Sequence, residues 1–273
     1  MCSPALPAKE VAIAYLSNCG FDMFEEEGDR LIAYAKDVAF NEEEYRFVLE
    51  QLRELAAISV EENWVESENW NAQWESNYDP IDVEGKIMMR APFHAPPVSG
   101  LDIIIQPEMS FGTGHHPTTW QMMHAVHALQ PAGQNVLDMG CGTGALAIAA
   151  RKLGAARVVA IDNDEWSYRN TLDNIQRNGL DGQIEARLGD ANTLSTTDCS
   201  FHTILANINR NILLADMRTY VRHLYEGGHL VLSGFFPADI PVLLNEAEGH
   251  GLELSKSFDR DGWACLLLVN KAN

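Results

Sequence analysis

Apolar positions along this chain change rhythm twice. Between Lys9 and Asn18 they recur with helical spacing, at Val11, Ala14 and Tyr15. Short, partly alternating runs at Phe21–Glu27 and Arg30–Lys36 then flank Gly28-Asp29, the pattern of a hairpin turn. Asn41 is placed to cap a second helix, Glu42–Ala56, whose Tyr45, Val48, Leu49, Leu52 and Leu55 share one face. Residues 1–60 therefore read as a small α+β domain. The acidic stretch that follows sets Trp70, Trp74 and Tyr78 at i, i+4 and i+8, an aromatic stripe on a linker helix within residues 61–80. Such a stripe is expected to pack between modules, although aromatic residues also suit a substrate contact.

Beyond residue 80 the pattern turns to strands. Val83–Arg90 and Leu101–Gln106 read as strands around the Pro-rich loop Pro92–Gly100. From Pro117 the chain alternates: helix Pro117–Leu129, strand Asn135–Gly140, helix Gly144–Leu153, strand Arg157–Asp162, helix Glu165–Asn178. Strands Ile184–Gly189 and Phe201–Ala206, helix Asn211–Tyr225, strand His229–Gly234 and a helix near Pro237–Gly249 follow. Alternation at these lengths predicts an α/β domain over residues 81–273, a parallel sheet with helices on both faces. The ending departs from it. Strands Leu252–Phe258 and Trp263–Asn270 are joined only by Asp259–Gly262, so they form a hairpin and the final strand runs antiparallel. There is no internal repeat and no low-complexity segment.

Charge narrows the partners. Nineteen basic against 39 acidic residues give a formal net charge of −20, and no Lys/Arg cluster offers a local landing site for a phosphate backbone. Direct nucleic-acid binding is not expected, and a basic protein partner suits the balance better. The five cysteines are scattered, odd in number and never in a C-x-x-C pair, which fits a reducing compartment. No apolar run approaches the ~20 residues that span a bilayer, and Met1-Cys2-Ser3-Pro4 does not open a secretory signal. A cytoplasmic protein without a membrane anchor is expected.

The sharpest motif is Val136-Leu137-Asp138-Met139-Gly140-Cys141-Gly142-Thr143-Gly144. A buried strand runs into three alternating glycines and opens a helix, so that a ligand can approach the backbone. The spacing is G-x-G-x-G, not the G-x-G-x-x-G of a pyrophosphate-binding loop. A nucleoside that carries a cationic sulfonium and no phosphate, S-adenosylmethionine, fits this loop, with Asp138 facing its cationic amino-acid end. Asp162 ends the next strand, where an acidic side chain accepts from ribose hydroxyls. Asp190, after the third, is placed for an adenine amino group. Each aspartate taken alone also suits a helix cap or a turn. Asn207 ends the fourth strand, where it should face the cofactor, and its amide can hold a target amine. Upstream, the polar loop Phe111–Thr119 is expected to act as a lid, with Pro117 opening a helix. His115, His116, His124 and His127 lack acidic or cysteine companions at a metal-ligand spacing, so no metal site is expected.

Taken together these segments resemble one family, the bacterial methyltransferases of ribosomal protein L-eleven (L11), known as PrmA. The resemblance rests on Phe111–Thr119, on Leu137–Gly144 with Leu146–Ala150 after it, on Ala206-Asn207-Ile208, and on Trp70–Trp74 with Tyr78-Asp79-Pro80. It implies a Rossmann-like class I methyltransferase sheet preceded by a ferredoxin-like N-terminal module that recognises the substrate. It also implies Thr119, Gly140, Asp162 and Asn207 as cofactor contacts, beside Gly142 and Asp190 read from the loop and strand ends. The implied reaction is methyl transfer from S-adenosylmethionine to the α-amine and lysine amines of ribosomal protein L11. Apart from the resemblance, a two-domain chain suits a monomer, and Asn207 at its strand end is expected to position the acceptor. Two departures stand out. Gln106-Pro107-Glu108 occupies the place of the family's Asp-Pro-Gly, and the chain opens almost directly into its first helix rather than a strand.

Rival readings remain on the sequence alone. A methyltransferase of another protein, of glutamine or of a small-molecule amine shares the glycine loop. The glutamine and nucleic-acid class typically has Asn-Pro-Pro-Tyr after the fourth strand, and Asn207-Ile208-Asn209-Arg210 lacks both prolines. A non-catalytic cofactor-binding or ribosome-assembly protein is the alternative outside enzymes.

Overall fold

A computed structural model describes residues 5–35, 40–63, 79–106, 116–196 and 200–271. These fall into two compact units, one within residues 1–68 and one within 69–273.

The first unit runs α1 (Ala5–Asn18), β1 (Phe21–Glu27), β2 (Arg30–Ala35), α2 (Glu42–Leu55). The two strands pair antiparallel with Glu27 opposite Arg30, so Gly28-Asp29 is the two-residue turn that the pattern predicts. Asn41 caps α2 by accepting from the Glu44 N–H at 3.2 Å, and Glu42, Glu43 and Glu44 complement the positive helix end. Leu16, Cys19, Tyr45, Val48 and Leu52 form the core, packed by Phe21, Phe24 and Leu31 from the hairpin. Leu55 departs from the expected apolar face and is 64% exposed in the last turn. The described part of this module is an α-β-β-α unit. Residues 57–63 have no regular structure, and Trp70, Trp74 and Tyr78 lie outside the described residues.

The second unit opens with a three-stranded sheet, β3 (Ile81–Val83), β4 (Ile87–Arg90) and β5 (Leu101–Ile104). The strand expected over Val83–Arg90 is broken by a hairpin, because Glu84 and Gly85 both take positive φ, 55° and 68°. The Lys86 N–H closes that turn on the Val83 carbonyl at 3.0 Å. β3 and β4 are antiparallel, β4 and β5 parallel.

The main body alternates α3 (Pro117–Leu129), β6 (Asn135–Met139), α4 (Ala145–Lys152), β7 (Arg157–Asp162), α5 (Glu165–Arg177) and β8 (Glu185–Leu188). It continues with β9 (Phe201–Asn207), α6 (Arg210–Arg222), β10 (Leu224–Phe235), α7 (Ile240–Gly249), β11 (Leu252–Arg260) and β12 (Trp263–Asn270). The seven strands order as β8-β7-β6-β9-β10-β12-β11. All neighbours are parallel up to β10, and β12 runs antiparallel to both β10 and β11. The strand pleat sorts the apolar residues into two layers. Val136, Val158, Ala160 and Leu205 face Met122 of α3, Leu146 and Ile148 of α4 and Ile175 of α5. Leu137, Val159, Ile161 and Ile204 face Leu213, Met217 and Tyr220 of α6 and Leu243 of α7. β10 starts five residues before the expected His229, and its register with β9 shifts between Leu224 and His229, across Gly227-Gly228.

Candidate active site

Strand order fixes where a ligand can sit. From β6 the chain steps outward to β7 and β8, then returns to place β9 on the other side of β6. Ligands bind in the crevice outside the carboxyl ends of strands at such a reversal. Met139 pairs with Ala206, so Gly140 and Asn207 emerge side by side at that crevice. Gly140 has φ +70°, and a Cβ on it would lie 2.3 Å from Ile208 Cγ2. The turn is therefore left-handed, pressed against the next strand's exit, and closed to larger residues. The Gly140 and Cys141 N–H groups donate to the Ile161 carbonyl at 2.8 and 3.1 Å, anchoring the loop to β7.

The acidic residues divide their work. Asp162, 9% exposed, accepts from the Gly142 N–H at 2.8 Å and the Asp164 N–H at 3.0 Å, so it draws the glycine loop and the entrance of α5 together. Asp138 is buried, and its Oδ2 accepts from the Ala147 N–H at 3.0 Å. That donor belongs to the first turn of α4, so an internal carboxylate already occupies part of the helix end that would otherwise greet a phosphate. Burial pushes the Asp138 carboxyl up to about 7, with the Ala147 hydrogen bond opposing and the charge of Asp162 adding. Asp190 is exposed, and its carboxylate accepts from the Asn192 N–H at 2.9 Å and the Asn192 amide at 3.1 Å. It starts the 3₁₀ turn Ala191–Thr196, the turn role that its sequence position also allowed.

Several buried oxygens share a different property. Among the described residues Thr119 Oγ1, Asp138 Oδ1 and Asn207 Oδ1 find no hydrogen-bond partner, and Gln121 Oε1 is a fourth. Buried polar atoms are nearly always paired, so a set of unpaired acceptors beside one crevice points to a ligand that brings donors. Thr119 and Gln121 lie on the first turns of α3. The Gln121 amide donates to the Trp263 carbonyl at 2.9 Å, and Trp263 begins β12 at this same edge. His116 caps α3, its Nδ1 accepting from the Thr118 N–H at 3.4 Å, with its ring edge-on to Trp263 at 4.4 Å. Burial lowers the His116 pKa, which keeps this acceptor neutral.

Gly140, Gly142, Asp162 and Asn207 thus meet around one loop, Thr119 presents a buried hydroxyl without a partner among the described residues, and Asp190 lies at the rim. The cap made by Asp138 and the unpaired Gln121 oxygen depend on helix packing that local spacing does not encode. Of the expected lid, Phe111–Thr119, residues 111–115 lie outside the described residues, and His116–Thr119 cap and open α3. His124 stacks on Trp120 at 5.5 Å and sits 3.5 Å from Glu84. Among the described residues no three His, Cys, Asp or Glu side chains gather as a metal-ligand group.

Comparison with known proteins agrees with this geometry. The profile of the ribosomal protein L11 methyltransferase (PrmA) family matches residues 14–271. A ribosomal protein L11 methyltransferase of Porphyromonas gingivalis is 46% identical over 266 residues, 95% of this chain and 90% of that protein. One from Bacteroides fragilis is 39% identical over 269 residues, 95% of this chain and 93% of that protein. Among solved structures, a ribosomal protein L11 methylase from Lactobacillus delbrueckii subsp. bulgaricus superposes with a TM-score of 0.66 at 27% identity. The match covers 71% of this chain and all of that one. With its sheet order, glycine loop and these relatives agreeing, the chain belongs to the ribosomal protein L11 methyltransferase (PrmA) family.

Proposed function

We propose that this methyltransferase uses S-adenosylmethionine to methylate ribosomal protein L11 on its α-amine and lysine side chains. The observation that carries the cofactor is the set of unpaired buried acceptors at the crevice: Thr119 Oγ1, Asp138 Oδ1 and Asn207 Oδ1. An ammonium, two ribose hydroxyls and an adenine amine supply donors for such a set, whereas a pyrophosphate supplies only further acceptors. The residues that would hold the cofactor are Thr119, Gly140, Gly142, Asp162, Asp190 and Asn207. Residues 1–60 would recognise the protein substrate and residues 61–80 would link the domains of a cytoplasmic monomer. The net charge of −20 favours a basic protein substrate.

S-adenosylmethionine supplies a methyl group already activated by its sulfonium. The chain's own task is to align the acceptor and to receive it uncharged. A free α-amine has a pKa of about 7.7–8.0 and lysine about 10.4, so lysine must shed a proton on entry. Removal from water favours that loss. Asn207 Oδ1 would accept one N–H of the neutral amine and aim its lone pair, the proton having left to water. The Asn207→Ala variant tests this directly. It should bind S-adenosylmethionine more weakly in calorimetry and, with cofactor held saturating, lose about 100-fold or more in kcat; full turnover would remove Asn207 from the reaction.

A further inference from the structure

Helix α5 carries a buried polar face that the cofactor contacts leave unexplained. Asn170, Thr171 and Asn174 are 2%, 0% and 0% exposed, and Asn178 follows one turn later. An amide stays in such a place only if its donors and acceptor are used. Asn174 uses them all. Its Oδ1 accepts from the Gln106 N–H at 2.9 Å, and its Nδ2 donates to the Thr143 carbonyl at 3.0 Å and to Asn170 Oδ1 at 2.9 Å. The backbone donor at Gln106 and the backbone acceptor at Thr143 allow only one orientation of the amide.

Asn178 does a related job elsewhere. It accepts from the Ile104 N–H at 3.0 Å and donates to the Ile104 carbonyl at 2.7 Å, as a neighbouring strand would. Its third bond, at 2.8 Å, returns to the Asn174 carbonyl. Asn178 therefore fastens α5 to β5 without touching the glycine loop. Thr171 touches only the loop side, donating to the Gly142 carbonyl at 2.8 Å. Asn174 alone of these three spans both.

We propose that Asn174 is a positioning residue for cofactor capture, its amide tying the Gln106 end of the β5 segment to the Thr143 carbonyl of the glycine loop. The loop is thereby held in the shape the nucleotide needs before it arrives, so the side chain acts on affinity and not on the transfer step. This rests on the reading of the loop as the S-adenosylmethionine site.

The test compares Asn174→Ala with Asn178→Ala in the full chain. Calorimetry measures S-adenosylmethionine binding, steady-state kinetics vary cofactor and L11 separately, and thermal melts follow stability. Asn174→Ala should weaken cofactor binding roughly tenfold, the equivalent of one net hydrogen bond. Its kcat should stay within about threefold and its KM for L11 should not move. Asn178→Ala should lower Tm yet leave cofactor affinity within about twofold. If Asn174→Ala does not fold, Asn174→Asp keeps the shape and the acceptor for Gln106 while losing both N–H donors. Its affinity deficit should then shrink as pH falls, because a protonated carboxyl can again donate to Thr143. Unchanged cofactor affinity on altering Asn174, or an equal loss on altering Asn178, overturns the proposal. Wild-type protein that does not bind S-adenosylmethionine at all overturns the underlying functional reading instead.

Discussion

Replacing Asp138 with asparagine should change stability in a way that depends on pH. The side chain is 1% exposed, with one oxygen paired to Ala147 and the other to nothing among the described residues. Its carboxyl is pushed from 3.8 up to about 7 by burial. The unfolded chain gives up this proton near 3.8, whereas the folded chain keeps it to about 7. Between those values the folded state binds more protons, so stability falls as pH rises and the loss is complete above about 7. The gap corresponds to a cost of about 4 kcal/mol at high pH. Between pH 6 and pH 8 the folded carboxyl is on average half protonated, which gives a loss of about 1.4 kcal/mol across that window. The Asp138→Asn amide keeps the bond to Ala147 but leaves an N–H pair without an acceptor, at about 1–3 kcal/mol. Urea denaturation of both proteins at pH 6 and 8 isolates this carboxyl. Wild-type stability minus variant stability should drop by about 1.4 kcal/mol from pH 6 to 8, while the variant binds the cationic cofactor more weakly. A difference that stays flat or rises with pH would refute the reasoning.

Three further perturbations follow from the same contacts. Thr119→Val removes an unpaired buried hydroxyl, so melts should show stability unchanged or raised by up to about 1 kcal/mol while S-adenosylmethionine affinity falls roughly tenfold. Gly140→Ala places a Cβ at positive φ against Ile208; it should cost about 2–4 kcal/mol in denaturant unfolding and abolish cofactor binding. His116 caps α3 with a neutral Nδ1 and has a lowered pKa. Its contribution is full above the ordinary value of 6.5 and is lost as pH falls through the lower folded value. His116→Asn should keep the cap and remove that acid sensitivity, whereas His116→Ala should cost about 1 kcal/mol at pH 8.

Where the pattern is local the sequence was enough. The span of α3, the two-residue turn at Gly28-Asp29, the Asn41 cap and the closing hairpin all follow from spacing within a dozen residues. The crevice was also legible, because glycines at a strand end and acidic residues after the next two strands form a pattern along the chain. The hairpin at Glu84-Gly85 is marked in the sequence only by the single glycine, inside an otherwise apolar run that reads as one strand. By sequence Asp138 faces the ligand, yet one of its two oxygens accepts from the first turn of α4. Which backbone donor a buried carboxylate meets is decided by how helix and sheet pack. Asn174 carries no signal in the sequence for the same reason: its partners, Gln106 and Thr143, lie 68 and 31 residues away. Asp190 makes the local turn bonds to Asn192 that its position also allows, and its exposed carboxylate still faces solvent beyond β8.

The most direct measurement of the central claim is transfer of labelled methyl from S-adenosylmethionine into purified ribosomal proteins, resolved by mass and mapped by peptide. The account predicts label in L11, on its α-amine and lysine side chains, and almost none of it with Asn207→Ala. Label confined to other proteins would contradict the substrate, and no label despite cofactor binding would contradict the proposed enzyme activity.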